Sequence, residues 1–480
     1  MNKKMILHIL GKMMGVEALL LLLPAFVGLI YGETCAVWFV VTAAVLFVFF
    51  LLTGLKKPQN PGLYGKDGLF IVSSAWILWS LFGALPFFLS GSIPNYMDAF
   101  FETVSGFTTT GSTILRDVEV LPHCMTFWRS FTHWVGGMGV LVFVMVLTNL
   151  DKQSSIHLMR AEVPGPEKDK LVPKARETAQ ILYGMYFVLT VVLVVLLMLG
   201  GMDLFDSLLH AFGTAGTGGF SNYADSVGHF DSAYLDGVIT VFMILFGINF
   251  NLYFFLALRA FRPVFTNEEL RAYLVIIGGA IAAITANTCH LYGSALEAFR
   301  YAAFQVASII TTTGYATADY TLWPVFSQSV LAALMIVGAC ASSTGGGIKV
   351  SRLLISLKSI WKEVKQMAHP KSVNVVRLSG KKLGEDTIHN VYIYLMAYGF
   401  IAVVSVLLVS LDNFDFTTNV GSVLTTIGNV GPGLNLTGPV GSFADYSLFS
   451  KFVFCIDMLA GRLEIFPFLM LFSYMWRKKF

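Results

Sequence analysis

The amino-acid sequence predicts an all-α integral membrane protein: four parallel helix–half-helix–filter loop–helix repeats around a pseudo-fourfold pore, preceded by two extra N-terminal transmembrane helices. Three observations carry that prediction. The chain is 56% hydrophobic and only 13% charged, with a mean hydropathy of +0.71, whereas soluble domains run to about 25% charged residues. Ten apolar runs are long enough to cross a bilayer, which takes roughly 20 residues each. Four short segments end alike: Thr108-Thr109-Thr110-Gly111, Gly216-Thr217-Gly218-Gly219, Thr311-Thr312-Thr313-Gly314 and Gly428-Asn429-Val430-Gly431.

Spacing turns these segments into a repeat. Gly111 to Gly219 is 108 residues, Gly219 to Gly314 is 95, and Gly314 to Gly431 is 117. Six positions before each glycine stands a small residue (Ser105, Gly213, Ser308, Thr425), and nine before it a polar one (Glu102, His210, Gln305, Ser422). A single Thr-Thr-Gly is an ordinary turn. Four in register at this spacing are an internal repeat.

The elements follow in order. Residues 1–67 form the N-terminal two-helix segment, with spans at 14–31 and 36–55. Pore repeat 1 covers 68–151 with spans at 68–90 and 125–150, and repeat 2 covers 152–262 with spans at 178–199 and 233–258. Repeat 3 covers 263–382 with spans at 270–289 and 323–350, and repeat 4 covers 383–480 with spans at 391–411 and 448–474. A closed barrel would need alternating polarity in segments of about ten residues, but runs such as Leu19 to Leu23 call for helices. Lys3 and Lys4 precede an apolar run with no small-x-small cleavage pattern after it, so the run reads as a retained anchor rather than a signal peptide.

With a cytoplasmic N-terminus and alternating spans, 26 of the 32 Lys and Arg fall inside, as the positive-inside rule requires. The C-terminus is then cytoplasmic too. Outside segments carry Glu33, Asp98, Glu102, Asp117, Glu119, Asp203, Asp206, Asp225, Asp231, Asp319, Asp412, Asp415 and Asp445. They predict an acidic outer vestibule that concentrates cations.

The first half-helix, residues 96–107, would be about 18 Å long at 1.5 Å per residue, half a bilayer. It must enter from outside and turn back. Non-helical backbone at that depth is tolerated only when buried in protein or lining a water-filled cavity. Two crossings per repeat give all four copies one orientation, so the turns meet on an axis along the membrane normal. Carbonyls of the residues before each glycine can there replace the water around a dehydrated cation, with the negative ends of the half-helix dipoles aimed at the same place.

Two features lie below these turns. The second span of repeat 3 is interrupted by Gly338-Ala339-Cys340-Ala341-Ser342-Ser343-Thr344-Gly345-Gly346-Gly347, followed by Lys349. Each glycine costs roughly 1 kcal/mol as helix, so the stretch reads as an irregular intramembrane plug held by few packed contacts; the competing reading is a small-residue packing face. The other feature is Arg462 in Gly461-Arg462-Leu463-Glu464, fifteen residues short of Arg477. An arginine at such depth points to function, here a pore-facing barrier to cation flow, against the alternative of a side chain that holds a neighbouring carboxylate or carbonyl.

The five cysteines, Cys35, Cys124, Cys289, Cys340 and Cys455, have no metal-binding spacing, and no redox role is read from them. No H-E-x-x-H, G-x-S-x-G or Walker pattern is present. An enzyme or sensor would need a catalytic constellation, and the sequence offers none.

At these residues the chain resembles the TrkH/KtrB/HKT superfamily of potassium transporters, and most the bacterial TrkH branch. The resemblance spans essentially the whole chain: the four glycine segments, Ser343 to Lys349, Gly461 to Glu464, Pro164-Gly165-Pro166, Arg176-Glu177-Thr178 and His369-Pro370-Lys371. The two helices before repeat 1 suit TrkH better than KtrB.

The resemblance implies potassium uptake across the bacterial cytoplasmic membrane, with one selective glycine per repeat at Gly111, Gly219, Gly314 and Gly431. Potassium would bind at the filter residues Thr109, Thr110, Gly111, Thr217, Gly218, Gly219, Thr312, Thr313, Gly314, Asn429, Val430 and Gly431. It also implies an intramembrane gating loop (Gly338, Ala341, Ser342, Ser343, Thr344, Gly345, Gly346, Gly347 and Lys349), a homodimer in membrane lipid, and a cytosolic ring of the TrkA type. The regulatory nucleotide is expected on that ring; the chain itself is expected to carry no covalent cofactor and to bind no nucleic acid. Sodium-favouring members carry serine at the first glycine, so Gly111 speaks for potassium over a sodium-conducting or sodium-coupled transporter of the same fold. The second and fourth segments depart from Thr-Thr-Gly, which makes the expected cage chemically uneven.

Overall fold

The computed structural model describes residues 2–56, 58–59, 63, 65–139, 175–372 and 374–477. The predicted 125–150 span is described to residue 139; its remainder and the Pro164-Gly165-Pro166 segment lie outside the described residues. Among the described residues the fold is helical, with one short antiparallel hairpin pairing Arg377–Leu378 (β1) with Lys381–Lys382 (β2).

The N-terminal segment contains α1 (Lys3–Leu20), α2 (Leu22–Ile30) and α3 (Ala36–Thr53). Helix starts earlier than the predicted residue 14, because the Asn2 side chain accepts the Met5 N–H at 3.2 Å and caps it. Helices α1 and α2 together are apolar enough to form one span of 28 residues.

Repeat 1 continues through α4 (Gly65–Gly83), α5 (Leu85–Leu89), the half-helix α6 (Tyr96–Phe107) and α7 (His123–Gly137). Repeat 2 has α8 (Ala175–Leu199), the half-helix α9 (Leu204–Gly216), α10 (Ala233–Phe246) and α11 (Phe250–Ala257). A short α12 (Phe261–Phe265) leads to repeat 3: α13 (Glu268–Thr288), the half-helix α14 (Ala295–Ile310), α15 (Val325–Val337) and α16 (Val350–Ala368). Repeat 4 has α17 (Glu385–Val409), the half-helix α18 (Phe416–Gly428), α19 (Leu448–Arg462) and α20 (Phe466–Arg477).

Every half-helix starts on a side-chain cap. Asn95, Asp203, Ser294 and Asp415 accept the N–H groups of Met97, Asp206, Glu297 and Thr418, which satisfies a donor that the first turn leaves free.

In repeats 2, 3 and 4 the second helix departs from the expected continuous span. Repeat 2 bends by 91° between α10 and α11, where Asn249 caps the new helix by accepting the Asn251 N–H at 2.9 Å. Repeat 4 breaks after Arg462, with Glu464 and Ile465 at φ 59° and 61°. In repeat 3 the break is the anticipated 338–349 stretch between α15 and α16. Among the described residues six helices, or seven counting the bent pair, are long and apolar enough to cross a membrane; the breaks in repeats 2 to 4 divide three of the ten predicted runs, and the 125–150 run lies partly outside the described residues.

Candidate functional site

The four glycine segments share one backbone geometry. The residue two before each glycine, Thr109, Thr217, Thr312 or Asn429, is left-handed with φ between 54° and 60°. The next residue, Thr110, Gly218, Thr313 or Val430, donates its N–H to the carbonyl of Ser105, Gly213, Ser308 or Thr425 at 2.8–2.9 Å. This is the helix-ending hydrogen bond to the residue five back that accompanies a left-handed C-terminal position. It explains the small residues in register in the sequence, since their carbonyls close the half-helix. Threonine is β-branched and poorly suited to positive φ, so three of the four turns hold backbone strain of about 1–3 kcal/mol each.

The segments close on one another as a ring. A methyl group built on Gly111 would lie 1.9 Å from the Gly218 carbonyl oxygen; on Gly219, 2.0 Å from that of Thr313; on Gly314, 2.2 Å from that of Val430; and on Gly431, 2.7 Å from that of Thr110. Each repeat's glycine thus faces the carbonyl preceding the next repeat's glycine, and the fourth returns to the first. All four are at positive φ, 75° to 109°, and all four line one outer cavity of about 330 Å³. The expected unevenness has a pattern: diagonal repeats 1 and 3 share Thr-Thr-Thr-Gly and the same Thr–Thr hydroxyl contact at 2.8 Å.

The polar residues nine before each glycine brace the chain leaving the turn. Glu102 accepts from the Thr113 hydroxyl at 2.9 Å and the Ile114 N–H at 3.0 Å. His210 meets Ser221 Oγ at 3.2 Å, Gln305 donates to the Ala318 carbonyl at 3.1 Å, and Ser422 meets Thr437 Oγ1 at 3.0 Å. Sequence reading missed two braces on α7. Arg129 is buried, donating from Nε to Glu102 at 2.5 Å and from a terminal nitrogen to the Ser221 carbonyl at 2.8 Å. His133 Nδ1 lies 2.7 Å from the Gly106 carbonyl while Nε2 accepts the Phe220 N–H at 3.3 Å, which fits a neutral ring protonated on Nδ1.

The vestibule is not the acidic bowl the composition suggested. Of the residues lining the outer cavity only Asp445 is acidic, and it pairs with Arg116 at 2.5 Å. Glu102 is buried on Arg129, and Asp98 holds Lys451 at 2.8 Å. The other polar residues lining it are hydroxyl-bearing, such as Ser112, Thr113 and Thr437, together with the arginines Arg116 and Arg129.

The 338–349 loop lies beneath the ring and is pinned, contrary to the expectation of few contacts. Gly346 donates its N–H to Thr312 Oγ1 at 2.6 Å. Glu269 at the start of α13 accepts the N–H groups of Ala341 in the loop at 2.7 Å and of Ser351 in the first turn of α16 at 3.1 Å. Phe250 N–H donates to the Ser342 carbonyl at 3.0 Å, Cys340 N–H to that of Gly247 at 3.1 Å, and the Thr344 hydroxyl to that of Phe246 at 3.2 Å. The Ser343 hydroxyl bonds the Cys340 carbonyl within the loop, and buried Lys349, at φ 82°, returns its ammonium to the Gly345 carbonyl. Gly338 and Gly347 stand back to back at the loop's neck, with a methyl on Gly347 only 2.7 Å from the Gly338 Cα.

Arg462 donates to the carbonyls of Thr344 at 2.7 Å, Gly136 at 2.6 Å and Gly137 at 2.7 Å. It joins repeat 4 to the loop of repeat 3 and to α7 of repeat 1. This is the carbonyl-holding role that the sequence left as the alternative. Glu464 pairs with Arg352, which stacks over Tyr394 at 3.9 Å. Arg462, Glu464, Lys349 and the loop residues Ser342, Ser343 and Gly345 to Gly347 line a second cavity of about 80 Å³ below the ring.

Four capped half-helices that end on one closed ring of carbonyls, above a buried loop in a multi-pass helical chain, define the fourfold-repeat class of membrane cation transport proteins. The chain belongs to the TrkH family of cation transport proteins, which matches residues 38–479. It is 35% identical over 489 residues to the Trk system potassium uptake protein TrkH of Salmonella typhimurium and 34% identical over 486 residues to that of Escherichia coli K12, each comparison covering 100% of both chains. It is also 33% identical to the E. coli protein TrkG over 99% of both chains. The crystal structure of the potassium transporter TrkH from Vibrio parahaemolyticus superposes with a TM-score of 0.89 at 32% identity, covering 98% of each chain. The chain is a multi-pass membrane protein of the Trk potassium uptake family, and its relatives are named as transporters rather than enzymes.

Proposed function

We propose that this chain takes potassium up across the bacterial cytoplasmic membrane through a pore lined by its four glycine turns, and that the 338–349 loop is the gate. The closed carbonyl ring carries this reading. Four carbonyls from Thr110, Gly218, Thr313 and Val430, each seated against the glycine of the preceding repeat, can replace the hydration shell of a large monovalent cation. A cavity of about 330 Å³ above the ring and one of about 80 Å³ below it, the latter lined by loop residues, support a route for the ion that passes the loop. The repeats run over 68–151, 152–262, 263–382 and 383–480, with both termini cytoplasmic, as the distribution of Lys and Arg favours.

Arg462 adds a fixed positive charge and a latch to the closed loop. The protein works as a homodimer with a cytosolic TrkA-type nucleotide-binding ring on its basic face, where α16 connects directly to the loop through Lys349 and Val350. Its relatives' membership of a Trk system supports such a partner. The test is flux from liposomes containing the purified chain, with and without the ring and its nucleotide. Potassium and rubidium flux well above sodium flux, rising with the ring, is expected; sodium flux equal to or above potassium flux would replace this reading with that of a sodium conductor.

A further inference from the structure

The loop between α2 and α3 is locked onto the first turn of α7. Pro122 precedes α7 and offers no side-chain cap. Glu33 supplies one from another part of the chain: its carboxylate accepts the N–H groups of His123 at 2.6 Å and Cys124 at 2.9 Å and lies 3.0 Å from His123 Nδ1. The Tyr31 ring stacks on that of His123 at 4.0 Å. Within this corner Cys35 Sγ and Cys124 Sγ are 2.9 Å apart, although 89 residues separate them in sequence.

We propose that Cys35 and Cys124 are joined as a disulfide in the membrane-inserted protein, tying the N-terminal two-helix segment to repeat 1. A bonded pair lies at about 2.05 Å, so the sulfurs need approach by only about 0.9 Å. The inference uses the placement of the 31–35 loop on the outer side, an oxidising compartment in bacteria where disulfides persist, but not the identity of the transported ion. Glu33, Cys35 and Cys124 also present ligand atoms within 4.8 Å of one another, which raises the alternative of a metal ion. Two observations count against it. Thiolates on a tetrahedral zinc, with Zn–S about 2.3 Å, stand about 3.7 Å apart, farther than these sulfurs, and both Glu33 oxygens already accept backbone N–H groups.

The bond forms by exchange with a disulfide-bearing donor protein. The Cys35 thiolate attacks one donor sulfur and expels the other as a thiolate; the Cys124 thiolate then displaces the donor from the mixed disulfide. Two electrons pass from the cysteine pair to the donor, which leaves as a dithiol carrying the two thiol protons. Burial pushes the Cys35 thiol up, so exchange belongs to assembly, before the corner packs.

The test uses full-length protein with Cys289→Ser, which removes the exposed cysteine, expressed in bacteria with intact periplasmic thiol oxidation. Cells are quenched with a permeant maleimide and the protein is digested without reductant. A peptide pair linked through Cys35 and Cys124 that separates on phosphine treatment is expected. Alkylation of both thiols without reduction would overturn the proposal, as would thiols protected until a zinc chelator rather than a phosphine is added. In the Cys124→Ser, Cys289→Ser variant, an impermeant maleimide should label Cys35 from outside intact spheroplasts. Labelling only in inside-out vesicles would overturn the outer placement and the disulfide with it, while leaving potassium flux as a separate question.

Discussion

Gly346 donates its backbone N–H to the side-chain oxygen of Thr312 at 2.6 Å, so the loop beneath the ring is bonded to a strained turn of the ring itself. Thr312 sits at φ 60° in repeat 3. Moving the loop away from the ring breaks this bond, so the position of the loop is tied to one turn of the ring.

Thr312→Val keeps the shape and β-branching of the residue but removes the acceptor. Leaving a buried N–H unpaired costs about 1–3 kcal/mol, here charged to the closed loop. Potassium flux in liposomes without the partner should rise several-fold while the potassium-to-sodium ratio changes little. Flux equal to that of the unaltered protein would detach the loop from gating.

Arg462→Ala should also raise flux, because it removes three bonds to carbonyls and a fixed charge in a low-dielectric passage. Arg462→Lys separates the two contributions. Lysine keeps the charge but cannot fork to Thr344, Gly136 and Gly137 together. An intermediate flux for lysine is expected, measured against both parents at matched insertion levels; a fall in flux for the alanine variant would leave Arg462 a purely structural tie.

Removing residues 341–346 deletes the proposed gate and its bonds to Glu269, Phe246 and Thr312. Correctly inserted, such a protein should conduct faster and respond less to the ring and its nucleotide. A variant that conducts no faster and responds fully would place the gate elsewhere.

The sequence made the repeat legible because its signal is local: four glycines, their small residues six earlier and their polar residues nine earlier each fall within a dozen positions. The 96–107 half-helix and the broken third repeat were readable for the same reason, from a short apolar stretch and a run of glycines. The breaks at Gly247 and after Arg462 were not, since one glycine inside a long apolar run reads as packing, and Arg462 reads as a pore-facing charge within a continuous span. Left-handed Thr109, Thr217 and Thr312 gave no signal, because β-branched residues ordinarily avoid positive φ. Glu269, which meets the loop across 72 residues, and the Arg129–Glu102 pair depend on tertiary contact alone. The loop itself was found, but its dense bonding could not be inferred from a composition that suggests looseness.

The Arg129–Glu102 pair predicts a stability effect distinct from gating. With side chains 3% and 0% exposed, neither partner tolerates loss of the other, and an unpaired buried charge costs about 3–5 kcal/mol. Glu102→Ala should lower the unfolding temperature in detergent by several degrees or more, whereas Thr312→Val should not. Equal melting of Glu102→Ala and the unaltered protein, followed by size-exclusion fluorescence, would remove this pair from the ring's support.

The most direct test of the ring is Gly111→Ser. Its Cβ would stand 1.9 Å from the Gly218 carbonyl oxygen, so that carbonyl must move, and a filter that selects potassium by carbonyl spacing would lose its preference. The measurement is the potassium-to-sodium uptake ratio in reconstituted vesicles, made on protein that elutes and melts as a folded species. A marked fall in the ratio with flux retained is the predicted result; an unchanged ratio would contradict a selectivity ring built on Gly111, Gly219, Gly314 and Gly431.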